Sequence, residues 1–264
     1  MAADDLKTQL LWLCSDGDLG EDNFSMKGKP LRDFLKEHGD DIDLDVTDKY
    51  GLSPVTLACR CLHKECLELL LEHGAKPDAK DANGETPLCK ACNHEDIFCV
   101  DILLKHGADP NLPNSSGNTP LHVACKFKLD EIIQVLLEHG ANPNARNEHG
   151  QTPLHNLLAI RLWQDNVVEY DELEKDDLIF SFRHLLKAGA DPTIKERLGF
   201  SVKQILARYL QRKEMLYPGA CVALEECQKM LNEHLSKSKK RSRSEVSEDV
   251  EPIAKRTRLA QRAH

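Results

Sequence analysis

The 264-residue chain is poor in aromatic residues and has no long apolar run. Phe, Trp and Tyr make up only 5% of it, and no apolar stretch approaches the ~18 residues that a membrane span needs. The apolar segment 10–13 is too short for a signal-peptide core, and acidic rather than basic residues precede it. We therefore expect a soluble intracellular protein whose ten cysteines are reduced thiols.

The net charge of -9 is unevenly distributed. Segment 236–264 carries nine basic and four acidic residues, which leaves 26 basic and 40 acidic residues in the rest. An acidic body repels nucleic acid, whereas a basic tail attracts acidic partners. The sequence has no Gly-rich phosphate loop, and its spacing supports no Ser-His-Asp or Cys-His pairing. We therefore predict no catalytic residue and no cofactor.

A Gly-x-(Ser/Thr)-Pro pattern recurs every 33 residues, beginning at Gly51, Gly84, Gly117 and Gly150. A His-Gly-Ala triplet keeps the same period. In each unit the Ser or Thr suits a helix N-cap, and the Pro suits the first helical position. The Gly of the triplet suits the left-handed residue that ends a second helix. Helices this short are marginal alone, so we predict stacked helical repeats that bury shared faces.

Two stretches of the third unit carry a resemblance to a known family. Residues 119–124 (TPLHVA) and 136–144 (LLEHGANPN) resemble the two halves of the ankyrin-repeat signature. The resemblance covers roughly Leu6 to Ser201 and implies an all-α solenoid of helix-turn-helix units with projecting hairpin loops. A disordered basic tail is expected after it.

The interruptions of the period define the predicted domains. The gap between Gly150 and Gly199 is 49 residues, which places an insertion at about 161–177 in the fourth full unit. This acidic insertion is either a solvated extension of the next helix or a segment that holds a basic partner or the chain's own tail. The predicted parts are an N-terminal capping repeat (1–47), ankyrin repeats (48–200), C-terminal capping helices (201–235) and a disordered basic tail (236–264).

Cys89 and Cys92 form a CxxC pair, with His94 nearby, which taken alone suggests zinc. However, Cys59, Cys92 and Cys125 share one repeat position on the predicted first helices. Because small buried cysteines behave as modest hydrophobic residues, we predict packing and no metal site.

The tail holds two basic clusters, 239–243 and 255–258, which resemble a bipartite nuclear localisation signal bound by an importin adaptor. The alternative is a tail that merely adds charge. Ser242 and Ser244 each follow a basic residue by three positions, so phosphorylation there would add negative charge and weaken nuclear import. The alternative is that both serines are solvent-exposed residues with no regulatory role. The localisation residues are Lys239, Lys240, Arg241, Arg243, Lys255, Arg256 and Arg258.

The resemblance also implies that a protein partner binds a concave face built from loop tips and first helices. Aromatic and Arg side chains dominate interface hot spots, which favours Tyr50, Arg60, Phe127 and Arg146 as anchors. The alternative for Phe127 is packing under the segment around Trp163. The predicted protein-binding residues are Tyr50, Arg60, Asn93, His94, Lys126, Phe127, Arg146, His149 and Trp163.

Asn111 and Asn144 resemble targets of the iron/2-oxoglutarate asparaginyl hydroxylase that modifies ankyrin repeats. Pro110 and Pro143 depart from the usual Val or Ile of those targets. The alternative role for each Asn is an Asx hydrogen bond that caps the loop.

Our leading hypothesis is a monomeric, non-catalytic interaction scaffold found in nucleus and cytoplasm. It would bind importin through its tail and regulate transcription or signalling factors, in the manner of nuclear inhibitor-of-NF-κB proteins. Neither a membrane nor nucleic acid is expected to bind the repeat body. A second hypothesis is a substrate adaptor of a ubiquitin ligase, although no ligase-recruiting box is recognisable in 201–235. A third is a metal-binding or enzymatic protein, which stoichiometric zinc would support.

Overall fold

The computed structural model describes residues 3–15, 29–38, 42–159, 172–211 and 218–248. These residues form an all-α structure of short helices joined by loops. Within these ranges no helix has both the length and the hydropathy that a bilayer crossing requires. In chain order the helices are α1 (Ala3–Ser15), α2 (Lys29–His38), α3 (Pro54–Arg60), α4 (Lys64–Glu72), α5 (Pro87–Asn93), α6 (Ile97–Lys105), α7 (Pro120–Phe127), α8 (Asp130–Glu138), α9 (Pro153–Leu157), α10 (Glu172–Lys187), α11 (Val202–Leu210) and α12 (Pro218–Glu248).

The first helix of each repeat begins where the Thr-Pro or Ser-Pro pair predicts. The Ser53 hydroxyl accepts a hydrogen bond from the Thr56 amide at 3.2 Å, and Thr86 accepts from the Cys89 amide at 3.1 Å. A proline follows each cap at the start of the helix. Because the first amides of a helix have no partner within it, each such cap stabilises the helix by about 1 kcal/mol.

In the third unit a buried histidine shares the capping role. The His122 Nδ1 accepts a hydrogen bond from the Thr119 amide at 3.2 Å, so its proton lies on Nε2 and is donated to the Gln151 carbonyl at 3.0 Å. His155 makes the equivalent pair of bonds in the fourth unit, at 3.2 and 3.3 Å. Each ring therefore caps its own helix and binds the loop of the next unit.

The helices stack in two rows. The first helices α3, α5, α7 and α9 pack against one another in one row, while α4, α6, α8 and α10 form the other. The pair α1 and α2 packs on α3 and α4, and α12 packs on α10 and α11. The core between the rows consists largely of leucines, including Leu67, Leu70, Leu103 and Leu136, none of which has exposed surface. Burying one such side chain contributes roughly 1.5–3 kcal/mol, which is why the helices require their neighbours.

The loops that precede the first helices are called fingers here (45–52, 78–85, 111–118, 144–151 and 191–200). Neighbouring fingers are joined by backbone hydrogen bonds, such as the Ala82 amide to the Tyr50 carbonyl at 3.2 Å. Gly51 has φ +75°, and a Cβ there would lie 2.7 Å from the Ala82 nitrogen. The glycine of the repeated pattern is therefore required both by its backbone conformation and by the closeness of the next finger.

A ladder of side chains also joins the fingers. Its members, Asp45, Asp78, Asn111 and Asn144, each accept a hydrogen bond from a backbone amide of the next unit, at 2.9, 3.2, 2.7 and 2.7 Å. The two asparagines also donate from Nδ2 to a glycine carbonyl of that unit, at 3.1 and 2.9 Å. An ionised aspartate has no proton to donate, so the two aspartates lack this second bond.

The structure tests two of the sequence predictions near the C-terminus. The expected helix extension in the insertion is confirmed for 172–177, which open α10, whereas 160–171 lie outside the described residues. The prediction that disorder begins at Ser236 is wrong for 236–248, because α12 continues as helix to Glu248. Lys, Arg and Glu are good helix formers, and extending a packed helix requires no new nucleus. Residues 249–264, with the second basic cluster, lie outside the described residues.

Candidate functional site

The repeat cysteines belong to the core. Cys59, Cys92 and Cys125 have no exposed surface, and burial raises the pKa of Cys89, the other member of the CxxC pair, to about 11. Such thiols stay protonated and are poor nucleophiles and metal ligands. Among the described residues no group of three or more Cys, His, Asp or Glu side chains is placed to hold a metal ion. The predicted packing role of the cysteines is confirmed by their burial.

Two of the predicted anchors present aromatic surface to solvent. Tyr50, at the tip of the first described finger, is 59% exposed, and Phe127, at the end of α7, is 40% exposed. Each ring lies beneath the ammonium group of the preceding lysine, with Nζ to ring-centroid distances of 4.9 Å for Lys49 and 5.1 Å for Lys126. The cation–π contacts hold the rings at the surface with their faces available on one side.

The other predicted binding residues follow the ends of the first helices and the fingers. Arg60, Asn93 and His94 are exposed where α3 and α5 end. Arg146 is tied to the next finger, because one guanidinium nitrogen donates to the Lys195 carbonyl at 3.0 Å. His149 is exposed on its finger. Trp163 lies outside the described residues, so its proposed contact with Phe127 stays a prediction.

A shallow polar depression of about 110 Å³ connects part of this set, and we call it the groove. It lies where the fingers 78–85 and 111–118 meet helices α5, α7 and α9. Of the predicted binding residues, Asn93 and Lys126 line it, whereas Tyr50 and Arg146 do not. The groove is lined by Glu85, Asn93, Asn114, Asn118, His122, Val123, Lys126 and Asn156.

One wall of the groove rests on a partly buried ion-pair network. The Lys90 ammonium contacts the Glu85 carboxylate and lies 3.2 Å from Asp81, whose side chain is almost fully buried. Burial lowers the pKa of Lys90, but the bonds to Glu85 and Asp81 outweigh this effect and raise the pKa above its ordinary value. Asp81 in turn accepts two backbone hydrogen bonds, at 2.8 and 2.9 Å, that shape the finger. The network holds Glu85 and its finger at the groove.

The groove contains residues that the sequence did not single out. Asn156 extends the row of Lys90 and Val123, since the three share one repeat position 33 residues apart. Its Nδ2 donates to the His122 carbonyl at 3.3 Å, which fixes the amide against α7. Asn114 shapes its own finger by accepting from the amides of residues 116 and 118, at 3.1 and 3.0 Å. Comparing the side chains at the Lys90 position along the repeats would have identified Asn156.

Ser181, His184 and Asp130 lie close together, but not in the order that nucleophilic catalysis needs. The serine hydroxyl donates to the Asp130 carboxylate at 3.4 Å, and His184 Nδ1 lies 3.2 Å from the same oxygen. Activation requires the serine to donate to the imidazole, with the carboxylate on the far side of the ring. The three residues instead fasten α10 to α8 after the insertion.

The two asparagines predicted as hydroxylation targets are both members of the ladder. Asn111 and Asn144 each bond a backbone amide and a backbone carbonyl of the following unit, not their own loop. The loop-capping alternative is therefore wrong, since Asp109 and Asn142 provide those Asx bonds at 2.8 and 2.9 Å. Hydroxylation of either asparagine stays a prediction, and it would require local opening of the ladder.

The repeated units match a known family model. A model described as three copies of the ankyrin repeat matches residues 75–147 and 107–170, and the single-repeat model matches 50–82. Residues 50–170 are ankyrin repeats. A crystal structure of an ankyrin repeat domain from Acinetobacter baumannii AYE has the same fold, with TM-score 0.65 and 20% sequence identity over 87% of this chain and 97% of that one. No curated protein matches the sequence significantly.

The all-α repeat fold expected from the sequence is thus confirmed. Ankyrin repeats serve as scaffolds for protein–protein interaction and are generally non-catalytic. The exposed rings, the first-helix ends and the groove are accordingly the surface where a partner is to be sought.

Proposed function

We propose that this chain is a non-catalytic adaptor that holds a partner protein against the groove and the neighbouring first-helix ends. The observation that carries the proposal is the exposure of Tyr50 at a finger tip and of Phe127 at a first-helix end, since aromatic side chains dominate interface energies. Arg60 adds an exposed guanidinium at the same end of a first helix as Phe127. By analogy with nuclear inhibitor-of-NF-κB proteins, the partner is a transcription or signalling factor.

Affinity purification from cells tests this assignment. We compare the wild-type chain with the triple variant Tyr50→Ala/Arg60→Ala/Phe127→Ala. The control carries three alanines at exposed positions of the second helices, Glu68→Ala/Glu131→Ala/Lys187→Ala. The specific partners should be lost from the first variant and retained by the control. Identical sets of captured proteins in all three samples would contradict the proposed surface.

The basic residues support nuclear entry as part of the same function. Leu231 is buried and Leu235 half-buried against the core, whereas residues 236–238 are exposed. The cluster 239–243 follows these exposed residues along α12, and we propose it as the segment that a transport receptor binds. A fluorescent fusion should move toward the cytoplasm when alanine replaces Lys239, Lys240, Arg241 and Arg243. Alanine at exposed Lys229 is the control and should not move it. An unchanged distribution of the fourfold variant would refute nuclear targeting by this cluster.

Phosphorylation of the same segment provides a regulatory prediction. Aspartate at both Ser242 and Ser244 should lower nuclear accumulation, because negative charge within the basic cluster weakens its attraction for an acidic receptor surface. Alanine at both positions should leave accumulation unchanged or raise it. Equal nuclear fractions for the two double variants would contradict this regulation.

A further inference from the structure

The two rows of helices carry opposite charge. The first helices α3, α5, α7, α9 and α11 hold five Lys or Arg residues and no acidic residue. The second helices α4, α6, α8 and α10 hold eleven acidic and five basic residues. Although the chain as a whole is acidic, the row of helices that lines the groove is therefore cationic.

The cations of the first helices differ in how far they are neutralised. Lys90 is paired with Glu85 and Asp81. Within the described residues, Arg60 and Lys126 form no ion pair, and the contact of Lys126 is with the uncharged ring of Phe127. Among the described residues, Lys126 thus brings into the groove a positive charge that no carboxylate contacts, beside Glu85, which is already paired with Lys90.

The asparagine side chains of the groove also have hydrogen-bonding groups that are not used within the described residues. Asn93 and Asn156 use Nδ2 in long contacts of 3.4 and 3.3 Å, and within the described part of the chain their Oδ1 atoms accept no hydrogen bond. Asn114 accepts two bonds through Oδ1, while its Nδ2 donates none there. Side-chain amides combine a donor and an acceptor, as do the peptide groups of an extended chain.

We propose that the groove binds an extended, acidic segment of the partner protein, with a Glu or Asp carboxylate on Lys126 and the segment's backbone on the groove asparagines. This inference rests on the proposed function, because it specifies the partner of the same surface. A charge-assisted bond from Lys126 would be about twice as strong as a neutral one. Arg60, which forms no ion pair within the described part of the chain, would add longer-range attraction that salt screens.

The charge distribution favours a protein segment over nucleic acid. A nucleic acid has one phosphate per nucleotide, and the affinity of a protein for it depends on many Lys and Arg side chains along the bound backbone. This chain has a formal net charge of -9, and the finger 111–118 at the groove carries no charged side chain. A short peptide with one or two carboxylates needs only the local cations that the structure provides.

Selection of phage-displayed random linear peptides on the full chain tests the proposal. Peptides enriched on the wild-type chain should carry Asp or Glu at a shared position. Lys126→Glu should weaken their binding by roughly tenfold or more, and selection on that variant should give Lys or Arg at the position. Lys126→Gln should have a smaller effect, and Lys187→Glu on the second-helix row should have none. Circular dichroism confirms that each variant is folded.

The outcomes separate this inference from the proposed function. A neutral or basic consensus whose binding still depends on Asn93 and Phe127 would overturn the acidic segment and leave the adaptor function standing. Selected peptides that bind every groove variant equally would overturn both. Displacement of the selected peptides by a single-stranded oligonucleotide at equal concentration would assign the cations to nucleic acid and overturn the peptide proposal.

Discussion

The ladder between the fingers predicts that Asp78→Asn stabilises the protein. Asn111 and Asn144 each make two bonds to the next unit, one through Oδ1 and one through Nδ2. Asp78 occupies the same repeat position but only accepts, sharing the Asp109 amide between both oxygens at 3.2 and 3.3 Å. An asparagine there would supply the missing donor to the carbonyl of Gly107 and would shorten the bond to the amide.

One added hydrogen bond contributes about 1 kcal/mol to the free energy of unfolding. Removing the Asp78 charge adds to this gain, because burial, with the neighbouring Asp109 charge, raises the pKa of Asp78 despite its backbone hydrogen bond. The side chain is partly exposed, so water screens much of that electrostatic effect. We therefore expect a total gain of about 1–1.5 kcal/mol, or a rise of about 2–6 °C in the melting temperature.

The pH dependence of the gain has a defined sign. Because the folded pKa of Asp78 is raised, the folded state binds its proton more tightly than the unfolded state does. The wild-type chain thus becomes relatively more stable as the pH falls through the raised pKa toward the ordinary aspartate pKa of 3.8. The advantage of Asp78→Asn should therefore be largest at neutral pH and should shrink in acid.

Urea unfolding followed by far-ultraviolet circular dichroism provides the measurement, with two matched variants. Asp45→Asn changes the same ladder position but removes an ion pair to Lys76 at 2.8 Å, so its gain should be smaller. Asn111→Asp should lose the donor to Gly140 and destabilise by about 1 kcal/mol. A neutral or destabilising Asp78→Asn, or an Asn111→Asp variant as stable as wild type, would refute the account of the ladder.

Two further predictions concern buried histidines and the finger glycines. Burial lowers the pKa of His122 and His155, so the unfolded chain takes up protons first and stability should fall as the pH drops through 6.5. Replacing His122 by Asn should flatten this slope in urea titrations, and an unchanged slope would contradict the effect of burial. Gly117→Ala should lower the stability of the protein more than Gly140→Ala does. Both glycines have positive φ, but only a Cβ at Gly117 would lie 2.8 Å from a backbone nitrogen, that of Glu148 in the next finger. Equal unfolding midpoints of the two variants would contradict the role of the contact between fingers.

The sequence predicted the regular part of the fold because each signal has a local cause. Ser53 and Thr86 act as caps where the Ser-Pro and Thr-Pro pairs predict them. At the end of the second helix, His73 contacts the Leu69 carbonyl at 2.8 Å, just before Gly74. The period also explained the cysteines, since equivalence among units identifies a packing position without coordinates. The start points of the second helices are harder to predict: the pattern of apolar residues predicts a start at Ile132, whereas α8 begins at Asp130, because its first residues are polar.

The groove could be predicted only in part. Asn93 and Lys126 follow the Ala-Cys pair, so their positions are set by the repeat. The neutralisation of Lys90 depends on how a finger folds back over its helix, which no spacing reveals. The ladder was missed for a related reason: its bonds join residues about 31 positions apart, and an Asx signal in the sequence indicates local capping first.

The ladder bond from Asn144 has a consequence for how new segments can be accommodated. It joins residues 47 positions apart, whereas the equivalent bond from Asn111 joins residues 31 apart, yet the two distances are both 2.7 Å. The sixteen additional residues therefore leave the junction between units unchanged. The segment between α9 and α10 is a natural attachment point, at which loops of different length or sequence could be grafted in the laboratory, or exchanged during evolution, without redesigning the stack.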